Sequence, residues 1–402
     1  MAAFSGPQSS VMRSGDYPSS PRLASLDALR GLIMILMALD HASFFIARMH
    51  SHEFWGTALP VYPSALPFVL RLASHLCAPG FFFLMGAGMA LMAAARQREG
   101  WSSSQVMRFL GVRGALLIGL QLFVENPAWG LAFVFGVPGR FISRGGPLPG
   151  GGGGLAVYFG VLFALGAAMI IWALILRWHW KRQLTLALGA ILITQWATPG
   201  EVNVHRLYPE MLRLLLIPGR TDHALVFYPV IPWLGIAGLG VVFGRMLTVA
   251  SHTAIPVSRT ALGGVLLLLA FVVMRSGGGP GNFHPPLPGW IGYFNLTKYP
   301  PSMVFLCLTL GVNGLLLSAL SLKWVERRPL FSVISCYGRT PLFFYVMHLY
   351  LYGAMGWLVP TGVAPLPMLL FWLAGLVVLY PLCRRYDRFK RQGPQASLWR
   401  YF

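Results

Sequence analysis

Charged residues are scarce in this chain, and acidic residues are the scarcest. Asp, Glu, Lys and Arg together make up only 10% of its 402 residues, against about 25% in a typical soluble domain. Hydrophobic residues make up 56%, and they form runs long enough to cross a bilayer. This composition excludes an ordinary soluble enzyme and predicts an all-α, polytopic membrane protein embedded in a lipid bilayer.

The shortage of acidic residues leaves a strong positive charge. The chain has 31 Lys and Arg against 11 Asp and Glu, which gives a formal net charge of +20. In a soluble protein this excess would indicate nucleic-acid binding. Here the basic residues stand in short loops between apolar segments, where they set the topology and face anionic lipids. Nucleic acid is therefore not an expected partner.

Several motifs of soluble enzymes are also absent. The four cysteines have no CxxC spacing and are expected to be buried free thiols. The chain has no HExxH or similar ligand spacing, so no metal is expected. It has no GxSxG motif that would mark a serine nucleophile. The glycines at 150–154 lack a following Walker lysine, which favours a flexible linker over a phosphate-binding loop.

Ten apolar segments predict about ten transmembrane helices. They cover residues 26–47, 67–95, 107–125, 155–176, 182–197, 226–247, 259–275, 301–322, 339–358 and 366–383. With a cytoplasmic N-terminus, most of the 31 basic residues fall in the inner segments, as the positive-inside rule requires. An even number of helices also returns the C-terminus to the cytoplasm. We predict a disordered cytoplasmic tail at 1–21, a transmembrane domain at 22–385 and a basic cytoplasmic tail at 386–402.

The first apolar segment contains the most informative polar residues. Asp27, Arg30, Asp40 and His41 are each costly inside hydrocarbon, so they indicate a function. Arg30 and His41 share one helix face and lie roughly 16 Å apart along its axis, so they predict the two ends of a narrow substrate path. Asp40 has two interpretations. It orients an imidazole, or it pairs with an arginine elsewhere in the bundle, because neighbouring helical side chains point about 100° apart.

Other histidines are candidates for a general base. His52 lies just outside the first helix, His75 starts the second, and His348 lies in the middle of a later one. A histidine titrates near neutral pH and suits the activation of a hydroxyl or amine acceptor. The alternative for each is an imidazole that is hydrogen-bonded within the bundle and has no chemical role.

Six sequence blocks resemble one known family. They are RLASLDALRGLIMILMALDH, HEFWG, APGFFFLMGAGMAL, YPVIPWLGIAGLGVVFGR, TKYPPSMVFL and GRTPLFFYVMHLYLY. In this order they resemble the bacterial branch of the heparan-alpha-glucosaminide N-acetyltransferase catalytic-domain family, from about residue 22 to 385. The spacing of Arg30 and His41 is also similar to that found in the wider superfamily of transmembrane acyltransferases.

The resemblance implies acetyl transfer across the bilayer of a bacterial inner membrane. Acetyl-CoA would enter among the helices from the cytoplasm, and a sugar or glycan acceptor would take the acetyl group near a histidine at the periplasmic face. By position, the family's active histidine falls on His52, an asparagine of its first helix on His41, and an aspartate of its second helix on His75. These substitutions make His41 a rival to His52 as the base, and both rank ahead of His348.

The phosphates of acetyl-CoA would need basic ligands near the cytoplasmic mouth. Arg30, Arg96, Arg108 and Arg113 have the charge and the position for this role, with topology-setting surface arginines as the alternative. Direct transfer and an acyl-histidine intermediate both stay open, as do the acyl chain length, the acceptor and a homo-oligomeric state. Two other functions stay open as well: a proton-coupled permease or exporter with a buried Arg/Asp/His relay, and a non-catalytic scaffold.

Overall fold

A computed structural model describes residues 23–134, 142–144, 148–150, 156–200, 204, 206–249 and 255–392. The predicted N-terminal tail at 1–21 lies outside the described residues. Of the predicted C-terminal tail, residues 386–392 belong to the last helix, and the rest lies outside the described residues. The four cysteines are free and buried, as predicted.

The described chain is mostly helical, and each predicted apolar segment overlaps a helix. The helices are α1 (Ala24–Phe45), α2 (Ala65–Ser74), α3 (Cys77–Arg98), α4 (Ser103–Leu120), α5 (Asn126–Val134), α6 (Val161–Ile175), α7 (Trp180–Ala197), α8 (Glu210–Leu215), α9 (Val230–Val249), α10 (Val257–Gly277), α11 (Gly289–Phe294), α12 (Met303–Leu320), α13 (Lys323–Glu326), α14 (Pro329–Arg339), α15 (Pro341–Trp357) and α16 (Pro365–Gln392). A π-helical turn, Gln121–Glu125, joins α4 to α5. By contrast, α5, α8, α11, α13 and nearly all of α14 lie in predicted loops.

Seven helical stretches among the described residues are long and apolar enough to cross a membrane. They are Ala24–Phe45, Ala65–Arg98, Ser103–Leu131, Val230–Thr248, Val257–Gly277, Met303–Leu320 and Pro365–Gln392. The number rises to eight if α14 and α15, which are bent by 89° relative to each other, form one span. The multi-pass, all-α prediction is confirmed at this level, while the count of ten and the cytoplasmic location of both termini stay predictions.

Two glycines bring α1 and α14 into direct backbone contact. A side chain at Gly31 would collide with the Ile334 carbonyl, and one at Gly338 would collide with the Asp27 carbonyl. Small residues permit this close approach between helices in a membrane. As a result, the Arg30 side chain reaches across to α14 and donates to the Gly338 carbonyl at 3.2 Å.

Short strands and backbone hydrogen bonds lie beyond the C-terminal end of α1. Strand β1 (Met49–Ser51) pairs in parallel with β2 (Ile142–Arg144). Strand β5 (Ala224–Val226) lies between β3 (Val157–Phe159), which is parallel to it, and β4 (Gly219–Arg220), which is antiparallel. Backbone amides of Lys298 and Tyr299 also donate to the Glu53 carbonyl. These links hold the segment after α1 against the ends of the helices.

Candidate active site

The C-terminal part of α1 brings two imidazoles together. His41 Nδ1 lies 2.6 Å from His348 Nε2, and the two rings stack with their centroids 4.9 Å apart. His348 is fully buried in α15, and its Nδ1 lies 2.9 Å from the Phe344 carbonyl oxygen. We call His41 and His348 the imidazole pair.

The contacts of the imidazole pair decide which nitrogens carry hydrogens. A carbonyl oxygen only accepts, so His348 Nδ1 must donate to Phe344 and, in the neutral ring, His348 Nε2 is an acceptor. His41 Nδ1 is then the donor of the hydrogen bond between the rings. This leaves the lone pair of His41 on Nε2. His41 is therefore held in the tautomer that a general base needs, by a second imidazole in the role of orienting acceptor.

Aromatic rings and one buried carboxyl group surround the imidazole pair. The ring centroids of Trp129 and His41 are 5.0 Å apart in an edge-to-face arrangement, and the Tyr345 ring centroid lies 6.3 Å from that of His41. Trp129 Nε1 donates to Glu125 Oε1 at 3.0 Å. Glu125 is 2% exposed and lies in the π-helical turn, a form that is rare and often found at functional sites.

A cavity of about 300 Å³ lies next to these aromatic residues and has four basic side chains in its lining. Arg30, Arg113, Arg339 and Lys390 line it, and we call them the basic rim. Tyr345, which contacts His41, also lines the cavity. Since Arg30 and His41 are eleven positions apart on one straight helix, the rim and the imidazole are separated by roughly 16 Å along α1. We call this space the α1 cavity.

The four predicted phosphate ligands divide into two groups. Arg30 and Arg113 line the α1 cavity, and Arg30 is also paired with Asp27 at 3.0 Å. Arg96 instead pairs with the exposed Glu99 at 2.6 Å and covers the Trp101 ring. Arg108 is exposed on α4 and is absent from the cavity lining. The structure therefore brings two of the four together, beside Arg339 and Lys390, which the sequence analysis did not select.

A family comparison agrees with the resemblance seen in the sequence. The family model of heparan-alpha-glucosaminide N-acetyltransferase, catalytic, matches residues 150–277. Residues 150–277 are therefore similar to this acetyltransferase family. None of the curated proteins matches the chain.

The acetyltransferase match includes β3, α6, α7, α9 and α10 and one of the six resembling blocks, residues 228–245. The imidazole pair, Arg30 and His52 lie outside the matched residues. However, Tyr158 of the matched stretch contacts the Trp129 ring, with centroids 6.5 Å apart. A side chain at Gly160 would also crowd Glu125 Oε1. The matched segment thus packs against two of the residues that surround the imidazole pair.

Asp40, the neighbour of His41, binds an arginine. Arg71 Nη1 donates to both carboxylate oxygens of Asp40, at 2.8 and 2.9 Å. Arg71 Nε and Nη2 donate to Glu53 at 2.8 and 2.7 Å. Of the two interpretations of Asp40, the structure thus shows the pairing with an arginine. We call Asp40, Glu53 and Arg71 the carboxylate cluster; it joins α1, the segment after β1, and α2.

The electrostatics of the carboxylate cluster favour ionised carboxylates. Glu53 has no exposed surface. Burial alone would raise the pKa of Glu53, but the nearby positive charge of Arg71, with smaller contributions from His75 and Lys298, outweighs burial and lowers the pKa to about 2. Arg71 donates to both carboxylates, which leaves the group of three with one unbalanced negative charge that the nearby Lys298 partly offsets.

His52 and His75 lie near this cluster rather than in the imidazole pair. The His52 ring is 5% exposed, with centroids 5.9 Å from His50 and 5.8 Å from Phe54. His75 Nε2 lies 3.9 Å from Glu53 Oε1. Burial, together with the charges of Arg71 and His52, lowers the pKa of His50 to about 3. Phe44 lies between the two regions, since its ring contacts both His50 and Trp129.

Sequence reasoning missed several residues of the site. Glu125, Trp129, Tyr345, Arg71, Arg339 and Lys390 surround or line it but were not selected. Glu125 had a usable signal, because it is one of only 11 acidic residues and stands at the end of an apolar segment. Within the described residues, no three His, Cys, Asp or Glu side chains converge as metal ligands.

Proposed function

We propose that this chain is a membrane-embedded acetyltransferase of the bacterial branch of its family, located in the inner membrane. It takes the acetyl group from cytoplasmic acetyl-CoA and passes it to an amino sugar or glycan at the periplasmic face. The observation that carries the proposal is the α1 cavity. It is lined by four cationic side chains and by Tyr345, whose ring centroid lies 6.3 Å from that of His41 in the imidazole pair.

The basic rim suits the phosphates of CoA. Guanidinium groups bind phosphate oxygens through charge-assisted, often bidentate hydrogen bonds. Arg30 is held by Asp27 and the Gly338 carbonyl, so its guanidinium is ordered before a ligand arrives. The apolar lining between the rim and Tyr345, which includes Met34 and Leu117, suits the pantetheine arm. The thioester would then lie near Tyr345 and His41.

The chemistry assigns the base to His41. His41 Nε2 takes the proton from the acceptor amine or hydroxyl as that nitrogen or oxygen bonds to the acetyl carbonyl carbon. The carbon–sulfur bond then breaks, and the CoA thiolate takes the proton back from His41. His348 Nε2 accepts a hydrogen bond from His41 Nδ1 throughout and stabilises the positive imidazolium. Direct transfer needs no covalent intermediate, whereas an acyl-histidine would produce ping-pong kinetics.

The experiment is release of free CoA thiol from acetyl-CoA by the purified protein in nanodiscs, with a panel of amino sugars and glycans. His41→Ala and His52→Ala are compared with His223→Ala, which removes an exposed histidine. We expect acceptor-dependent release that His41→Ala abolishes and His223→Ala leaves intact. Loss only in His52→Ala would move the base to His52. If acetyl-CoA neither turns over nor binds, while a substrate crosses the membrane with protons, the protein is a permease instead.

A further inference from the structure

A second and larger cavity lies between α9 and α10, apart from the α1 cavity. Its volume is about 1310 Å³, which exceeds the roughly 300–1,000 Å³ of typical small-molecule sites. Although α9 and α10 are consecutive in the chain, α9 packs mainly on α3 and α10 on α12. The space between them is lined by side chains from both helices and from α1, α3 and α12. We call it the α9–α10 groove.

The lining of the groove is apolar along its length and basic at one rim. Leu239, Phe243, Leu267, Leu310 and Leu317 are among its apolar residues. Arg177, His179, Arg245 and Arg259 form the rim. Arg177 and Arg259 are exposed, whereas Arg245 donates to the Trp178 carbonyl and to Gln183. A basic pocket between membrane helices, at the headgroup level, is suited to an anionic lipid head group.

One polar group lies deep in the groove. Asn313 is 4% exposed and lines the cavity. Its amide nitrogen donates to the carbonyls of Leu76 and Thr309, which fixes the orientation of the amide. Asn313 Oδ1 has no hydrogen-bond partner among the described residues. A buried acceptor without a donor is unfavourable, so Asn313 is a polar exception at this depth of the groove.

We propose that the α9–α10 groove binds one phosphate-bearing lipid of the adjacent leaflet. The phosphate lies on Arg177 and Arg259, and the hydrocarbon chain fills the apolar length of the groove. The apolar lining matches the hydrocarbon of the bilayer, and the exposed arginines match the negative charge of the phosphate. This site is independent of the proposed acetyl transfer.

The test measures lipid retained by the intact protein. The protein is purified in detergent, supplied with phosphatidylglycerol, and examined by native mass spectrometry. Arg177→Gln with Arg259→Gln is compared with Arg98→Gln with Arg388→Gln, which removes the same charge from two exposed arginines outside the groove. We expect one retained phosphatidylglycerol, at least tenfold less in the first double variant, and no loss in the second.

A second pair of variants tests the groove rather than its rim. Gly263 lines the groove, and a side chain there would meet no atom within 4 Å, so Gly263→Phe fills the space without a clash at Cβ. Gly111 is equally open but outside the groove, which makes Gly111→Phe the matched control. Loss of the lipid in Gly263→Phe alone supports the proposal.

Three outcomes would contradict the proposed lipid site in the α9–α10 groove. Equal retention in all variants would mean that the lipid binds elsewhere. Complete displacement of the lipid by inorganic phosphate would mean that the rim binds anions and that the apolar part of the groove does not bind a lipid chain. Displacement by acetyl-CoA would make the groove a route for the acyl donor, and thiol release would then be sensitive to Arg259→Gln and insensitive to Arg113→Gln.

Discussion

His41 Nδ1 lies 2.6 Å from His348 Nε2, although the two residues are separated by 307 positions in the chain. The Phe344 carbonyl fixes the hydrogen on His348, and His348 in turn fixes the hydrogen on His41. In the proposed mechanism, His41 is the base and His348 is the group that orients it. In catalytic triads, a third group likewise holds a histidine in the correct tautomer.

His41→Gln is expected to lower kcat for acetyl transfer by on the order of 10²-fold or more, because general-base catalysis typically contributes that much. His348→Gln keeps a side-chain acceptor for His41 Nδ1, so we expect a smaller loss than in His348→Leu, which has none. The measurement is steady-state thiol release at saturating acetyl-CoA. His223→Gln is the control, and equal activity in His348→Gln and His348→Leu would contradict the orienting role.

Arg113→Gln is expected to raise KM for acetyl-CoA by about tenfold or more, since a hydrogen bond to a charged group is worth about 1.5–3 kcal/mol. Arg108 lies on the same helix but is exposed and away from the α1 cavity. Arg108→Gln is therefore the matched control and should leave KM unchanged. The rise in KM should shrink at high salt because ions screen charge interactions. An equal effect of both substitutions would argue against a specific phosphate site.

Arg71→Met is expected to destabilise the protein by about 3–5 kcal/mol, because it leaves the buried carboxylate of Glu53 and the partly buried carboxylate of Asp40 without their partner. Thermal unfolding in detergent measures the loss. Arg206→Met removes an exposed arginine and should change little. Asp40→Asn should lower stability more clearly than it lowers kcat, because Asp40 faces Arg71. A stable Asp40→Asn protein with strongly reduced kcat would restore the view that Asp40 orients a base.

Stability should fall on acidification, starting below about pH 6.5. The pKa of His50 is lowered to about 3 in the fold, so between pH 6.5 and 3 the unfolded chain binds a proton that the folded chain does not. The pKa of Glu53 is lowered from 4.5 to about 2, so its contribution is present above pH 4.5 and is lost between pH 4.5 and 2. Thermal unfolding from pH 7.5 to 4 checks this, and His50→Phe should reduce the loss that begins near pH 6.5 by the share that His50 contributes.

Glu125→Leu is expected to reduce kcat about tenfold or more, because it removes the acceptor that holds Trp129 against His41. Glu125→Gln retains an acceptor oxygen and should keep most of the activity if Glu125 acts only by positioning. The readout is kcat beside the KM for acetyl-CoA. Glu99→Leu, at an exposed position, is the control. A Glu125→Gln protein as inactive as Glu125→Leu would show that the carboxyl group itself takes part.

Most helices could be predicted because a bilayer demands apolar runs of nearly fixed length. The predicted segment 26–47 corresponds closely to α1, Ala24–Phe45. The prediction missed the 89° bend between α14 and α15, where the predicted segment 339–358 begins. Hydropathy could not reveal that bend. The predicted loop before it contains the helix α14, whose Gly338 packs on the backbone of Asp27.

The site residues on α1 were predictable because ionisable side chains in an apolar helix are energetically costly and therefore indicate a function. Arg30 and His41 were found because ionisable residues in an apolar helix require an explanation. Their partners come from distant parts of the chain: His348 and Arg339 follow more than 300 positions later, and Glu125 lies on another helix. Tertiary packing alone brings these together, and a hydropathy pattern does not encode which helices are neighbours.

The backbone contact between Gly31 and α14 has a consequence for the donor. It holds α1 against α14 at the position next to Arg30. The same uninterrupted helix contains His41, roughly 16 Å away along its axis. Since an α-helix hardly stretches, α1 fixes the distance between Arg30 and His41. A donor whose anionic end rests on Arg30 presents its reactive carbon to His41 only if the arm between them has the matching length. Shortened donors would leave the carbon out of reach, and the protein would select its substrate by length as much as by charge.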